Sequence, residues 1–355
     1  MESTECKFRF ADMKRPGNIL TITCLWCIQH LPVGRLRAFC TLLHGILRIP
    51  AFIFVACTPV VMTEQSIPAE LQIKASSAAG IRDSLDVFVF DDDEFRRLDT
   101  YQRLPPGRSA QYIACTEGPK IIAAVTGSGR ERSGWAAINT FDGLCAQYSD
   151  AWNDSEERPL MTGTARKKSG TDGARVDISL TPLLSRVTLR SIRCDFTGRP
   201  YEGQKLTGGK VYLSSLNTRC RLMEEEDFRT ESIEYRSEES PLPGQIGKTA
   251  VSTGISLYCY PNTNPVETAG SPFTRLVIEG EVDGRTWYWP IDINREWCGP
   301  VSGTPGIGRG QEYIFDVTLT RTGTSGPDIA ASSASYGAIL SIKPWEEVTG
   351  WEEHY

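Results

Sequence analysis

The chain of 355 residues contains three histidines, and past residue 57 only His354 remains. A Ser-His-Asp or Cys-His mechanism needs an imidazole held by a structured shell, so one lone histidine beside the C-terminus argues against both. A phosphate loop is missing as well. Gly127-Ser128-Gly129-Arg130 lacks the Gly-Lys-Ser/Thr ending and the helix that should follow it. Residues 1–57 hold seven Lys and Arg against three Asp and Glu, leaving 31 against 41 for the rest. An acidic body without a basic stripe argues against nucleic acid as a partner, because that affinity rests on neutralising phosphates. No apolar run reaches the roughly 20 residues of a membrane-spanning helix. The single Cys-x-x-Cys, Cys24/Cys27, lies in the first 57 residues. The six later cysteines (Cys115, Cys145, Cys194, Cys220, Cys259 and Cys298) are scattered and have no neighbouring His. That spacing argues against a zinc site and leaves buried thiols or disulfides as the two readings. No metal or cofactor is expected.

What is present begins with a leader. Arg35, Arg37 and Arg48 precede the apolar run Ile49 to Ala56, the charged-then-apolar layout of a secretory signal. Phe54-Val55-Ala56-Cys57 is similar to a lipobox, so residues 1–57 are expected to be a lipoprotein leader with Cys57 as the lipid-bearing N-terminus of the exported protein. The competing reading of the same residues is a buried strand ending in an ordinary cysteine.

Beyond Cys57 the pattern is that of strands divided by turn residues. Leu71 to Ala75, Leu85 to Phe90, Tyr112 to Cys115, Lys120 to Val125, Val176 to Leu180, Val187 to Ile192, Lys210 to Leu213, Ile255 to Tyr260, Leu276 to Val282, Thr286 to Ile293 and Tyr313 to Thr320 alternate or run apolar. Asp283-Gly284 between two such runs predicts a hairpin with a type I′ turn. One helix is expected, from about Ser133 to Tyr148. Many short strands with little helical periodicity imply an all-β chain of β-sandwiches. The Gly-, Lys- and Ser-rich stretch Gly163 to Gly173 reads as a loop, and a boundary near Pro182–Ser185 divides the body into 58–184 and 185–322. Residues 323–355 then read as a linker and a terminal strand, Ala338 to Trp345, with Ile339 on one face and Leu340 and Ile342 on the other. A strand set off by a linker must pair with a sheet edge, its own or another subunit's.

Two side-chain clusters invite chemical readings. Asp91-Asp92-Asp93-Glu94 has the charge of a calcium site without the spacing of a calcium loop, so a solvated turn is the simpler reading. Trp287-Tyr288-Trp289 places both tryptophans on one face of a strand, where they serve either core packing or a platform for a host glycan or protein. Paired carboxylates for glycoside hydrolysis are always available in so acidic a chain, which makes a surface hydrolase the weakest of the functional readings.

Taken in order, Asp83-Ser84-Leu85-Asp86-Val87-Phe88-Val89-Phe90-Asp91, Pro159-Leu160-Met161-Thr162-Gly163, Leu183-Leu184-Ser185-Arg186-Val187, Lys210-Val211-Tyr212-Leu213, Tyr313 through Arg321, Gly326-Pro327-Asp328 and Lys343-Pro344-Trp345 resemble the fimbrillin superfamily of Bacteroidales, and within it the Mfa-like, fimbrillin-A-associated anchor and minor subunits. The resemblance spans Cys57 to the end. It implies two transthyretin-like β-sandwich domains in tandem, export as a lipoprotein to the outer membrane, and assembly with other fimbrial subunits by β-strand addition. It also implies that in polymerising members a protease cuts after an arginine behind the first strand. By position, Leu71 and Ile73 lie in that strand and Arg82 is the candidate cleavage point. In an anchor subunit that is never cut, Arg82 is simply an exposed loop residue. The expected role is therefore a structural fimbrial subunit and not an enzyme, with a glycan- or host-binding surface lipoprotein as the alternative.

Overall fold

Strand alternation governs this chain. Every apolar or alternating run named above beyond Cys57 lies in a strand but for a last residue at some ends, and the first, β1 (Pro68–Ser76), alternates exposed and buried residues along nearly its whole length. The computed structural model describes residues 67–77, 80–223, 232–295, 303–332 and 334–345, all belonging to one unit from Ser66 to Tyr355. The leader with Cys57, Cys298, and the tail with His354 lie outside the described residues.

The first half contributes β2 (Leu85–Asp91), β3 (Leu98–Leu104), β4 (Ala110–Thr116), β5 (Gly118–Thr126), β6 (Tyr148–Asp150), β7 (Met161–Ser169), β8 (Ala174–Ser179) and β9 (Thr181–Pro182). Three strands in the order β4-β1-β8 face five in the order β3-β2-β5-β7-β9. Between the sheets lie Leu71, Ile73, Leu85, Val87, Val89, Ile113, Ile122, Val176 and Ile178, all buried. The second half adds β10 (Ser185–Cys194), β11 (Thr207–Asn217), β12 (Arg219–Arg221), β13 (Ile233–Arg236), β14 (Ser240–Pro241), β15 (Val251–Cys259), β16 (Arg275–Val282), β17 (Arg285–Asp292), β18 (Gln311–Leu319) and β19 (Tyr336–Pro344). Here β15-β10-β18-β19 faces β13-β11-β16-β17, with β14 also on β11, around a second core that includes Val187, Leu189, Val211, Ile278, Trp289, Phe315 and Val317. The β16–β17 hairpin turns on Asp283 and Gly284 at φ 54° and 71°, the backbone that the Asp-Gly pair favours.

The two sheet pairs share one topology. β1 is antiparallel to β4 and parallel to β8, and β10 is likewise antiparallel to β15 and parallel to β18. The facing sheets correspond strand for strand, β3-β2-β5-β7 with β13-β11-β16-β17. Apart from the two- and three-residue strands β6, β9, β12 and β14, only β19 among the described strands has no counterpart.

Two sequence expectations need correction. The helix expected over residues 133–148 is a short 3-10 turn, Arg132–Trp135, and a single α-turn, α1 (Phe141–Cys145). Between them the chain is held extended where Arg97 bridges Thr140 and the Leu98 N–H donates to the Asn139 carbonyl at 2.8 Å. The stretch Gly163 to Gly173 is mostly strand, because β7 runs to Ser169 paired throughout with β5. Its exposed Arg166, Lys167 and Lys168 hide the alternation.

The two sheet pairs meet across a third cluster. Phe88, Phe90, Ile121 and Val125 on the outward side of the larger first sheet pack with Trp135 and Phe141, and with Cys220, Leu222, Tyr260 and Trp345 from the second half. A two-stranded ribbon, β6 with β12, joins the halves. Arg309 reaches back from the loop before β18 and donates to the Thr162 carbonyl and hydroxyl at 3.1 and 2.9 Å and to the Thr181 carbonyl.

Candidate assembly site: the first strand, its loop and the terminal strand

β1 is the first described strand and yet a central one. Its seven register pairs with β4 run from Pro68↔Thr116 to Lys74↔Ala110, and its other edge pairs with β8 from Leu71↔Ala174 to Ser76↔Ser179. Leu71 and Ile73 are 0% exposed, and Ala69 and Ala75 point the same way. Burying each of the two larger side chains contributes about 1.5–3 kcal/mol, so an empty β1 position would leave an apolar groove between two unpaired strand edges. Cys115 on β4 faces Ala69 and is one of the buried free thiols, with Cys194 and Cys259. Burial pushes the thiol pKa of all three up, which makes them inert while the cores stay closed.

The loop from β1 to β2 is fastened at its base. The Ser77 hydroxyl lies 3.0 Å from the Met161 sulfur, and the Leu180 N–H donates to the Ser76 carbonyl at 2.7 Å. Farther along, Asp83 pairs with Arg158, whose Nε donates to Oδ2 at 3.1 Å. Between these anchors Arg82 is exposed.

The terminal strand folds back on its own sheet. All nine residues of β19 pair antiparallel with β18, from Tyr336↔Leu319 to Pro344↔Gln311. Leu340 and Ile342 pack against the second core, opposite Phe315 and Tyr313, whereas Ile339 is 68% exposed. Trp345 is buried, its N–H donating to the Gly310 carbonyl at 2.8 Å and its ring 5.7 Å from Tyr258, with the Arg186 guanidinium 5.5 Å from the ring centre.

Trp289 is 0% exposed in the second core and Trp287 packs half-buried against it, because β17 points both inward and Tyr288 outward. The acidic loop after β2 is a turn: Asp93 Oδ1 accepts the N–H groups of Phe95 and Arg96 at 2.9 and 2.8 Å.

No family model and no curated protein matches this sequence. Solved structures do. A Parabacteroides distasonis protein named for a role in cell adhesion is 15% identical and superposes with a TM-score of 0.62, covering 80% of this chain and 98% of its own. A fimbrillin from Porphyromonas gingivalis gives 12%, 0.60, 79% and 98% in the same order. The chain has the fimbrillin fold. A Bacteroides eggerthii protein, also named for cell adhesion, shares that fold at 16% identity and a TM-score of 0.56, covering 79% of this chain and 96% of its own. At such identities what is shared is the fimbrillin architecture of strands and sheets, not a set of side chains.

Proposed function

We propose that this chain is a structural subunit of a cell-surface fimbria that joins its neighbours by strand replacement. The observation that carries this reading is the position of β1: a central strand at the N-terminal end of the fold, paired on both edges and buried along its inner face, joined to the rest only through the loop bearing exposed Arg82. Cleavage after Arg82 would free a strand that no later segment holds covalently. A neighbour's strand could then restore both hydrogen-bond ladders and refill the apolar face. β19 is the donor of choice, since it stands outside the repeated topology. In the same reading residues 58–184 and 185–322 are separate transthyretin-like domains, and Cys57 carries the lipid that holds the subunit at the outer membrane until cleavage after Arg82 removes it together with β1. The fimbrillin fold, shared with proteins named for fimbriae and adhesion, supports a structural role over an enzymatic one. A glycan- or host-binding adhesin keeps no support from Trp287 and Trp289, which face the core.

Limited trypsin digestion tests the proposal, with Cys115 as reporter. In the intact protein Cys115, Cys194 and Cys259 should resist a maleimide probe. After the cut, Cys115 should label and the other two should not, and the digested protein should form mixed oligomers that an Arg82→Ala variant does not. A chain cut at Arg82 that keeps Cys115 protected and stays monomeric would sink the strand-replacement reading.

A further inference from the structure

The segment joining β18 to β19 is not a slack linker. It leaves the end of β18, crosses to the outer edge of β17 in the facing sheet, and returns to start β19. At β17 it is held by a set of contacts from both sides. The Tyr288 N–H donates to the Thr324 carbonyl at 3.0 Å, and the Thr324 N–H donates back to the Tyr288 carbonyl at 2.7 Å. The Trp289 indole N–H donates to the Arg321 carbonyl at 3.0 Å, and the Thr322 N–H donates to the Tyr201 hydroxyl at 3.0 Å. Gly323 lies so close to β17 that a Cβ there would fall 2.1 Å from the Tyr288 carbonyl oxygen and 2.7 Å from its carbon. Those are backbone atoms in a paired strand and cannot yield as a flexible side chain would.

We propose that this clasp, Arg321 to Thr324 on Tyr288 and Trp289, is a lock that keeps β19 on its own sheet and must open before the strand is given to a neighbour. The inference rests on the reading of β19 as the donor strand and adds what controls its release. While the clasp is shut, the connection between β18 and β19 is pinned part-way. A shorter tether returns β19 to its own edge more effectively than it delivers the strand elsewhere. At the far end the N–H groups of Thr320 and Arg321 donate to the Ser335 carbonyl at 3.0 and 3.2 Å, which ties the start of β19 to the clasp itself. The Trp-Tyr-Trp strand thus acquires a role its sequence does not advertise. Trp289 is the buried anchor, and Tyr288 supplies backbone rather than a ring.

Hydrogen exchange on the full chain tests the lock. In Gly323→Val the clasp cannot close, and loss of its two backbone hydrogen bonds should speed exchange of the β19 amides Gly337 to Lys343 on the order of ten-fold. β1 and β10 should stay as protected as in the wild type, and assembly onto Arg82-cleaved subunits should be faster. Thr324→Pro, which removes the N–H that bonds the Tyr288 carbonyl without adding bulk at Gly323, should do the same and guards against a Gly323→Val chain that does not fold. Unchanged β19 exchange in folded variants overturns the lock. Faster β19 exchange with unchanged assembly also overturns it as a control of donation. Deleting 336–355 then shows where the fault lies: undiminished assembly by the truncated chain convicts the donor reading rather than the clasp.

Discussion

Lys120 has no solvent contact, yet its ammonium sits 2.6 Å from Asp99 Oδ2 and bonds Asp91 and Thr116 as well. Burial alone would pull its pKa down, but the two carboxylates outweigh that and hold it above the ordinary value. Asp99 is held below the ordinary carboxylate range despite its own burial, through Lys120 and the N–H and hydroxyl of Thr116. Removing one partner of such a cluster leaves the other charge uncompensated, which costs about 3–5 kcal/mol. Lys120→Met should therefore lower the denaturation midpoint steeply, and Asp99→Asn added to it should recover part of the loss. A Lys120→Met chain as stable as the wild type would show that the cluster contributes nothing. None of this is legible in the sequence, where Lys120 merely opens an apolar run. Its partners lie 29 and 21 residues away and meet it only once β2, β3 and β5 are in register.

Among the elements, strands with a water-facing side were legible because alternation records burial directly, as in β1, β8 and β19. β7 was not, because its solvent-facing charges outnumber its apolar residues, and neither were β6 and β12, three residues each and stable only as a ribbon. The candidate site was partly legible. Arg82 falls in an exposed loop beside a buried strand, as small residues between two apolar runs suggest, whereas the depth of Trp289 depends on a facing sheet that sequence does not display. β19 allows a direct comparison of its two fates. Its self-pairing is complete in the monomer, and Leu340 and Ile342 bury apolar surface there, so deleting residues 336–355 should lower the monomer melting temperature by several degrees, in line with about 1–2 kcal/mol. The same deletion should abolish strand donation. An unchanged melting temperature would mean that β19 adds nothing to its own sheet, contrary to its packing.

For the molecule as a whole, the junction between the sheet pairs carries a titratable group. The Asp154 carboxyl accepts the Leu160 N–H at 2.8 Å and lies 3.4 Å from the Tyr260 hydroxyl. Burial pushes its pKa up to about 7 from 3.8, in spite of those hydrogen bonds. A folded-state pKa above the unfolded one means that the folded form binds the proton more tightly. Its contribution is full below about pH 4 and is lost as pH rises toward 7. Asp154→Asn, which keeps an oxygen for Leu160 and an amide for Tyr260, should flatten the pH dependence between 4 and 7. Above pH 7 it should stabilise the chain by on the order of 1–3 kcal/mol. Denaturation at pH 5 and pH 8 checks this, and equal effects at both would remove the carboxyl from consideration.

The parallel pairing of β1 with β8 also sets an order of events in time. β1 spans residues 68–76 and its parallel partner ends at Ser179, so one edge of the first strand stays without its partner until more than a hundred later residues are available. β10 waits in the same way for β18, whose last residue is Leu319. Contacts so distant along the chain form late, because their loop-closure entropy must be met before pairing rewards it. The groove around β1 is thus among the last parts of the molecule to close. In the strand-replacement reading, completing the fold and opening it for a neighbour are one movement, run in opposite directions.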